Sequence, residues 1–126
     1  MQTGFGFARA RPATTSRDEA RRLLAELKRR GQYYIVPRDL AAELGPSAAL
    51  LVLNTLNVAQ LKADVNGFVW CSPEFVRDGC GIGPARQDNV LARLEKRGII
   101  ETEQRAGKRM IRVNLARVRE RLERGQ

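Results

Sequence analysis

Apolar residues recur at helical spacing early in the chain. In SRDEARRLLAELKRRG, Ala20, Leu23, Leu24 and Leu27 fall at i, i+3, i+4 and i+7. Ser16 is placed to cap this helix, Asp18 and Glu19 sit in its first turn, Lys28, Arg29 and Arg30 load its last, and Gly31 stops it. The pattern predicts an amphipathic helix over 16–31. Ahead of it, residues 1–15 have no period, because Gly4, Gly6, Pro12 and two threonines break it. They read as a flexible basic arm, whose alternating Phe5, Phe7, Arg9 and Arg11 a partner could order.

The remaining punctuation divides residues 32–126 into short elements. Tyr33 to Val36 is an extended piece ending at Pro37, and Arg38 to Leu44 a short helical turn broken by Gly45. Pro46 suits the first turn of a helix over about 46–63. That helix carries Ala49, Leu50, Leu53, Leu56 and Leu61 and is apolar over so wide an arc that it should be central and buried. Asn66-Gly67 marks a turn. Phe68 to Cys71 is a strand, and Ser72-Pro73-Glu74 starts a helix running to about Gly79, with Phe75 and Val76 facing in. Gly81-Ile82-Gly83 is a tight turn with one buried anchor, and Pro84 opens a helix that ends at Gly98. Ile99–Gln104 and Arg109–Asn114 are strands joined by the hairpin tip Arg105-Ala106-Gly107-Lys108, and Asn114 caps a last helix. The expected fold class is mainly α with a small β wing. Two short helices around a glycine-bearing turn, followed by a hairpin, make a winged helix-turn-helix, with an extra N-terminal amphipathic helix and a C-terminal helix.

The glycines of GCGIGP raise a second possibility, a phosphate cradle. A dinucleotide-binding loop needs a preceding strand and GxGxxG spacing, and a Walker A loop needs Gly-Lys-Ser/Thr; neither is present. Glycine here instead permits a sharp reversal between two helices. On a wheel of the second helix, Gln87, Val90, Leu91 and Leu94 fall on one arc. Ala85, Asn89, Arg93 and Lys96 lie opposite, with Arg86 on their flank. One side packs and the other is free to enter a major groove. There small Ala85 permits close approach, Asn89 pairs with adenine, and Arg86 and Arg93 reach guanine edges or phosphates. An ordinary solvated face has the same composition, so the turn before it and the hairpin after it carry the distinction. Gln87 is awkward within the packing arc; it either reaches the rim or bonds to the turn backbone. Arg105, Lys108 and Arg109 load the hairpin tip with cations suited to phosphates, although a basic tip also serves solubility. Glu101 and Glu103 share a strand face and read as solvated.

Charge sharpens the picture. The chain of 126 residues has 23 basic and 14 acidic side chains, a formal net charge of +9. The excess sits at the two ends. Residues 1–31 carry 8 basic and 3 acidic groups, 32–66 carry 2 and 3, and 67–126 carry 13 and 8. Such a surface attracts polyanions. With no histidine and two cysteines outside any CxxC, neither a zinc site nor an imidazole base is on offer. No metal, cofactor or enzymatic activity is expected. No apolar run approaches a membrane span, and MQTGFGFARARPATT lacks the h-region of a secretory signal, so a cytoplasmic location is expected.

From Tyr33 to Val113 the chain resembles the winged helix-turn-helix domains of phage and plasmid replication proteins, including the DnaD-like replisome organisers. The residues that carry the likeness are YYIVPRDL, ALLVLNTL, GFVWCSPEFVRDGCGI, LARLEKRGII and RMIRVNL. The resemblance implies binding to double-stranded DNA through Arg86, Asn89 and Arg93, with the wing assisting, and a domain able to oligomerise. Gln87 and the GIGP turn depart from the family pattern, which bears on base reading more than on fold. The expectation is therefore a sequence-dependent DNA-binding replication or transcription factor, with helix 84–97 in the major groove and wing 105–109 on the backbone. The alternative is a winged-helix module that docks on a polymerase or replisome component without reading DNA. A homodimer is also expected, through helix 16–30 or the C-terminal helix.

Overall fold

The computed structural model describes residues 16–29 and 36–125. The arm at 1–15, the stop at Gly31 and Tyr33–Ile35 of the extended piece lie outside the described residues. The chain divides into two units, with the boundary between Tyr33 and Tyr34. In the first unit, α1 spans Arg17–Arg29. Its start is a reciprocal capping box. Ser16 Oγ accepts from the Glu19 amide at 3.1 Å, and Glu19 Oε1 reaches back to the Ser16 amide at 3.4 Å. Leu23, Leu24 and Leu27 are each at least half exposed, at 55, 59 and 50%.

The second unit starts with α2 (Arg38–Leu44) and α3 (Pro46–Lys62), which meet at 116°. Gly45, at φ +92°, makes that bend, and Pro46 opens α3 as expected. α3 is the central element, but the face it buries differs from the expected one. Ala48, Ala49, Leu51, Val52, Asn54 and Thr55 are buried, Leu50, Leu53 and Leu56 only partly, and Leu61 is 80% exposed. A helix that is apolar all round carries no preferred inward direction in its own sequence. Its neighbours select the face, and the last turn is left uncovered. Thr55 is accommodated by donating its hydroxyl to the Leu51 carbonyl at 2.9 Å.

After the Asp64–Gly67 turn come β1 (Val69–Trp70), α4 (Pro73–Cys80) and α5 (Pro84–Lys96). Ser72 Oγ caps α4 by accepting from the Phe75 amide at 3.1 Å. Gly81, left-handed at φ +73°, ends it. Ile82 anchors the turn in the core at 5% exposure. Val76 is fully buried, whereas Phe75 is 44% exposed rather than facing in. Neighbouring residues on a helix point about 100° apart, and only the Val76 side of α4 is covered.

The chain closes with β2 (Ile100–Arg105), β3 (Lys108–Val113) and α6 (Leu115–Arg124). The three strands form an antiparallel sheet of order β1-β3-β2, with Val69 and Thr102 both opposite Ile111. The fold is thus mainly helical, with a small sheet whose inner face joins α3, α4 and α5 around Leu51, Val76, Leu94, Ile99 and Ile111. α6 starts as expected, Asn114 Oδ1 accepting from the Arg117 amide at 3.0 Å. Its Val118 and Leu122 pack against the core. Arg121 meets Glu43 of α2 at 2.9 Å. No single helix among the described residues is long and apolar enough to cross a membrane.

At the hairpin tip, Ala106 and Gly107 have φ of +54° and +78°. Two positive values are the mark of the mirror-image turn that matches strand twist, and Asn-Gly is its preferred pair. Alanine resists the left-handed conformation, so Ala106→Asn is expected to stabilise the protein by about 0.5–1 kcal/mol. A urea midpoint that stays put or falls would contradict this.

Candidate nucleic-acid interface

The position of α5 is set from its inner side. Val90, Leu91 and Leu94 bury there together with Gln87, which has 0% exposure. A buried primary amide must find partners for its donors and its acceptor. Gln87 Nε2 donates to the Ile82 carbonyl at 2.7 Å and to the Pro73 carbonyl at 2.9 Å. Its Oε1 accepts from an Arg109 amino group at 2.8 Å, and Arg109 Nε donates to the Cys71 carbonyl at 2.8 Å. The bond to the turn backbone is therefore real, and it is one part of a larger hub. One side chain of α5 ties down the start of α4, the turn and β3.

The outer side of α5 is exposed at Ala85, Arg86, Asp88, Asn89, Ala92, Arg93, Glu95 and Lys96. Its two flanks differ in sign. Toward α3, Arg86 donates to Ser47 Oγ at 3.2 Å. Toward the hairpin, Glu95 accepts from the Thr102 hydroxyl at 2.9 Å, and Asp88 lies in the cleft that holds Arg109. Among the described residues, neither Arg93 nor Lys96 has an ion-pair partner. Ala85, Asn89, Arg93 and Lys96 thus share one open face, with Arg86 at its edge.

The hairpin cations go three different ways. Strand alternation puts Arg105 and Lys108 on the outer face and Arg109 on the inner one, beside Ile111. Arg105 is clamped between Asp64 Oδ2 at 2.8 Å and Glu103 Oε2 at 2.6 Å, with its guanidinium 5.3 Å from the Phe68 ring centre. Lys108 Nζ lies 4.5 Å over the Trp70 ring. Arg109 points inward to Gln87 and Cys71, where burial holds its pKa below the ordinary arginine value. Its geometry is that of an internal brace. Arg105 and Lys108 remain at the surface. The two glutamates expected to be solvated are exposed but paired, Glu101 with Arg112 and Glu103 with Arg105.

A shallow cleft of about 450 Å³ separates the N-terminal halves of α4 and α5 from the hairpin, with Glu74, Asp88, Gln104, Lys108 and Arg109 along it. Its carboxylates are a feature the helical wheel did not single out, because Glu74 and Asp88 come from different helices. Asp64 is a further residue of the site that the sequence pattern did not single out. Its Oδ1 accepts from the Asn66 and Phe68 amides, at 2.9 Å each, while Oδ2 holds Arg105. An aspartate two residues before Asn-Gly was the available signal. Both cysteines are free thiols; burial raises the pKa of Cys71 and pushes that of Cys80 up to about 11. Neither is a ready thiolate. Among the described residues no three His, Cys, Asp or Glu side chains gather into a metal-binding group.

Comparison with protein-family models, with curated proteins and with solved structures finds no match to this chain.

The hub and the clamp each make a testable statement. Gln87→Leu fills the same space but strands the Pro73 and Ile82 carbonyls and one arm of Arg109. A loss of about 2–4 kcal/mol in urea unfolding is expected, the range for several buried groups left unpaired; an unchanged midpoint would contradict the hub. For the clamp, the hydrogen bond from Arg105, helped by the Phe68 amide, holds the Asp64 carboxyl below its ordinary pKa. A carboxyl whose pKa falls on folding stabilises the fold fully above its ordinary value near 4 and loses that contribution as pH drops through the lowered value. Asp64→Asn should therefore flatten the decline in melting temperature below about pH 5. An acid limb identical to that of the unmodified chain would rule the clamp out.

Proposed function

We propose that the second unit is a winged helix-turn-helix that binds double-stranded DNA. In this reading α4 and α5 are the helix pair, α5 lies in the major groove, and the β2–β3 hairpin is the wing on the backbone. The observation that carries it is the division of α5. Its inner side is locked by Gln87, Val90, Leu91 and Leu94, while Ala85, Asn89, Arg93 and Lys96 stand open to solvent. Ala85 and Ala92 let the helix approach base edges. Asn89 is suited to adenine and Arg93 to guanine. Arg86, Lys96 and Lys108 meet phosphates, which sets register more than sequence, while Arg105 stays held by Asp64 and Glu103. Asp88, on the hairpin side, offers an acceptor to a cytosine amino group and discourages phosphate there. Arg109 serves by bracing α5 against the wing.

The biological setting that fits is a cytoplasmic replication or transcription factor of phage or plasmid type. The exposed leucines of α1 favour a second feature, association with another copy of the chain, as two-fold DNA readers use half-sites about one helical turn apart.

Anisotropy titration of labelled duplex DNA at two salt concentrations tests the reading. Affinity should collapse with salt as counterions are released. Lys96→Ala should lower the log–log salt slope by about 1, and Arg93→Ala should cost about 1–3 kcal/mol on the preferred site. Binding indifferent to salt, or variants that bind like the original, would overturn the assignment.

A further inference from the structure

Trp70 is the chain's single tryptophan, and it is 54% exposed. It borders two depressions at once. One is the cleft beside α5 that contains Glu74 and Asp88. The other is a larger groove of about 550 Å³ between the end of α3, β1 and α4, walled by Asn57, Val58, Leu61, Lys62 and Phe75. Leu61 and Phe75 leave 80% and 44% of their surface in water. Trp70, Leu61 and Phe75 together offer apolar faces to an occupant of the groove.

The charge around the groove selects among occupants. Lys62 is the one ionisable side chain among the lining residues, and Lys108 sits across the Trp70 ring at 4.5 Å. The carboxylates lie in the other cleft. A second copy of the chain would bring lysine against lysine, on molecules of net charge +9. The ligand that combines flat apolar faces with regularly spaced negative charge is a single-stranded nucleic acid, whose bases stack on aromatic side chains while cations follow its backbone.

We propose that this groove binds unpaired bases of single-stranded DNA, with Trp70 and Phe75 as stacking platforms, Asn57 placed for a base edge, and Lys62 and Lys108 on the flanking phosphates. The proposal rests on the DNA reading of the second unit. It makes Trp70 the divide between a duplex surface on α5 and a single-strand groove, so the protein is suited to a junction where a duplex opens.

The lone tryptophan reports directly on the groove. With the full chain, a short oligothymidylate should quench Trp70 fluorescence to saturation. Phe75→Ala, whose side chain is already partly exposed, should weaken that binding about 5- to 100-fold, the range for one lost stacking contact. Lys62→Glu should weaken it as well, while affinity for a blunt duplex stays as in the unmodified chain. Trp70→Phe, followed by anisotropy of a labelled strand, should retain more affinity than Trp70→Ala. Quenching by oligothymidylate without any duplex affinity would keep the groove and overturn only the role of α5. Absence of quenching, or a loss with Phe75→Ala that is equal for duplex and single strand, would overturn the groove. So would self-association abolished by Phe75→Ala in a chain that oligothymidylate does not quench, which would give the groove to a second copy.

Discussion

The hydrogen bonds of one buried glutamine hold the candidate interface together. Gln87 joins the first residue of α4, the turn at Ile82 and, through Arg109, the strand β3. A leucine at this site would satisfy packing but would fix no orientation, since dispersion is nearly direction-free. The amide imposes direction, because its donors and its acceptor must each be met inside the protein. Each bond adds only about 1 kcal/mol net, but leaving a partner unmet costs about 1–3 kcal/mol. That asymmetry penalises rotation of α5 about its own axis. The outward direction of Asn89 and Arg93 follows from the inward direction of Gln87.

The same economy governs the charges. The chain is strongly basic, yet most cations of the sheet are engaged: Arg105 by Asp64 and Glu103, Arg112 by Glu101, Arg109 by the hub. Arg93 and Lys96, with no ion-pair partner among the described residues, stand on the outer face of α5, and Lys108 stays open at the hairpin over the Trp70 ring. An exposed ion pair contributes little to stability, but it removes a positive charge from competition for a polyanion. The apolar groove beyond Trp70 lies outside this pattern of paired charge.

Much of the architecture was legible in the sequence because glycine, proline and capping residues punctuate it. Gly45-Pro46, Ser72-Pro73, Gly83-Pro84 and Asn114 each mark an element start that the structure places there. The packing arc of α5 was readable from its period, with Gln87 visible as an inconsistency. Its bond to the turn at Ile82 was one of two readable alternatives, but its bond with Arg109 was not, since Arg109 is 22 residues away and only the sheet brings it back. Arg109 itself illustrates a rule overlooked. Grouped with Arg105 and Lys108 as a tip cation, it nevertheless alternates with Lys108 and points inward with Ile111. The buried face of α3 had no signal, because apolar residues surround that helix. Leu61 looked like a core residue for that reason, and Phe75 because it is a large apolar residue next to Val76 in a short helix; their surroundings emerge only when α3, β1 and α4 assemble.

The proposed contact is between duplex DNA and the outer face of α5, which Gln87 holds from within. Amide chemical-shift mapping tests it most directly, by adding a duplex to isotopically labelled protein and following each residue. The largest shifts are expected on Ala85, Arg86, Asn89, Arg93 and Lys96, with a second set at the hairpin around Lys108. Shifts confined to α1 or α6, or none at low salt, would contradict it.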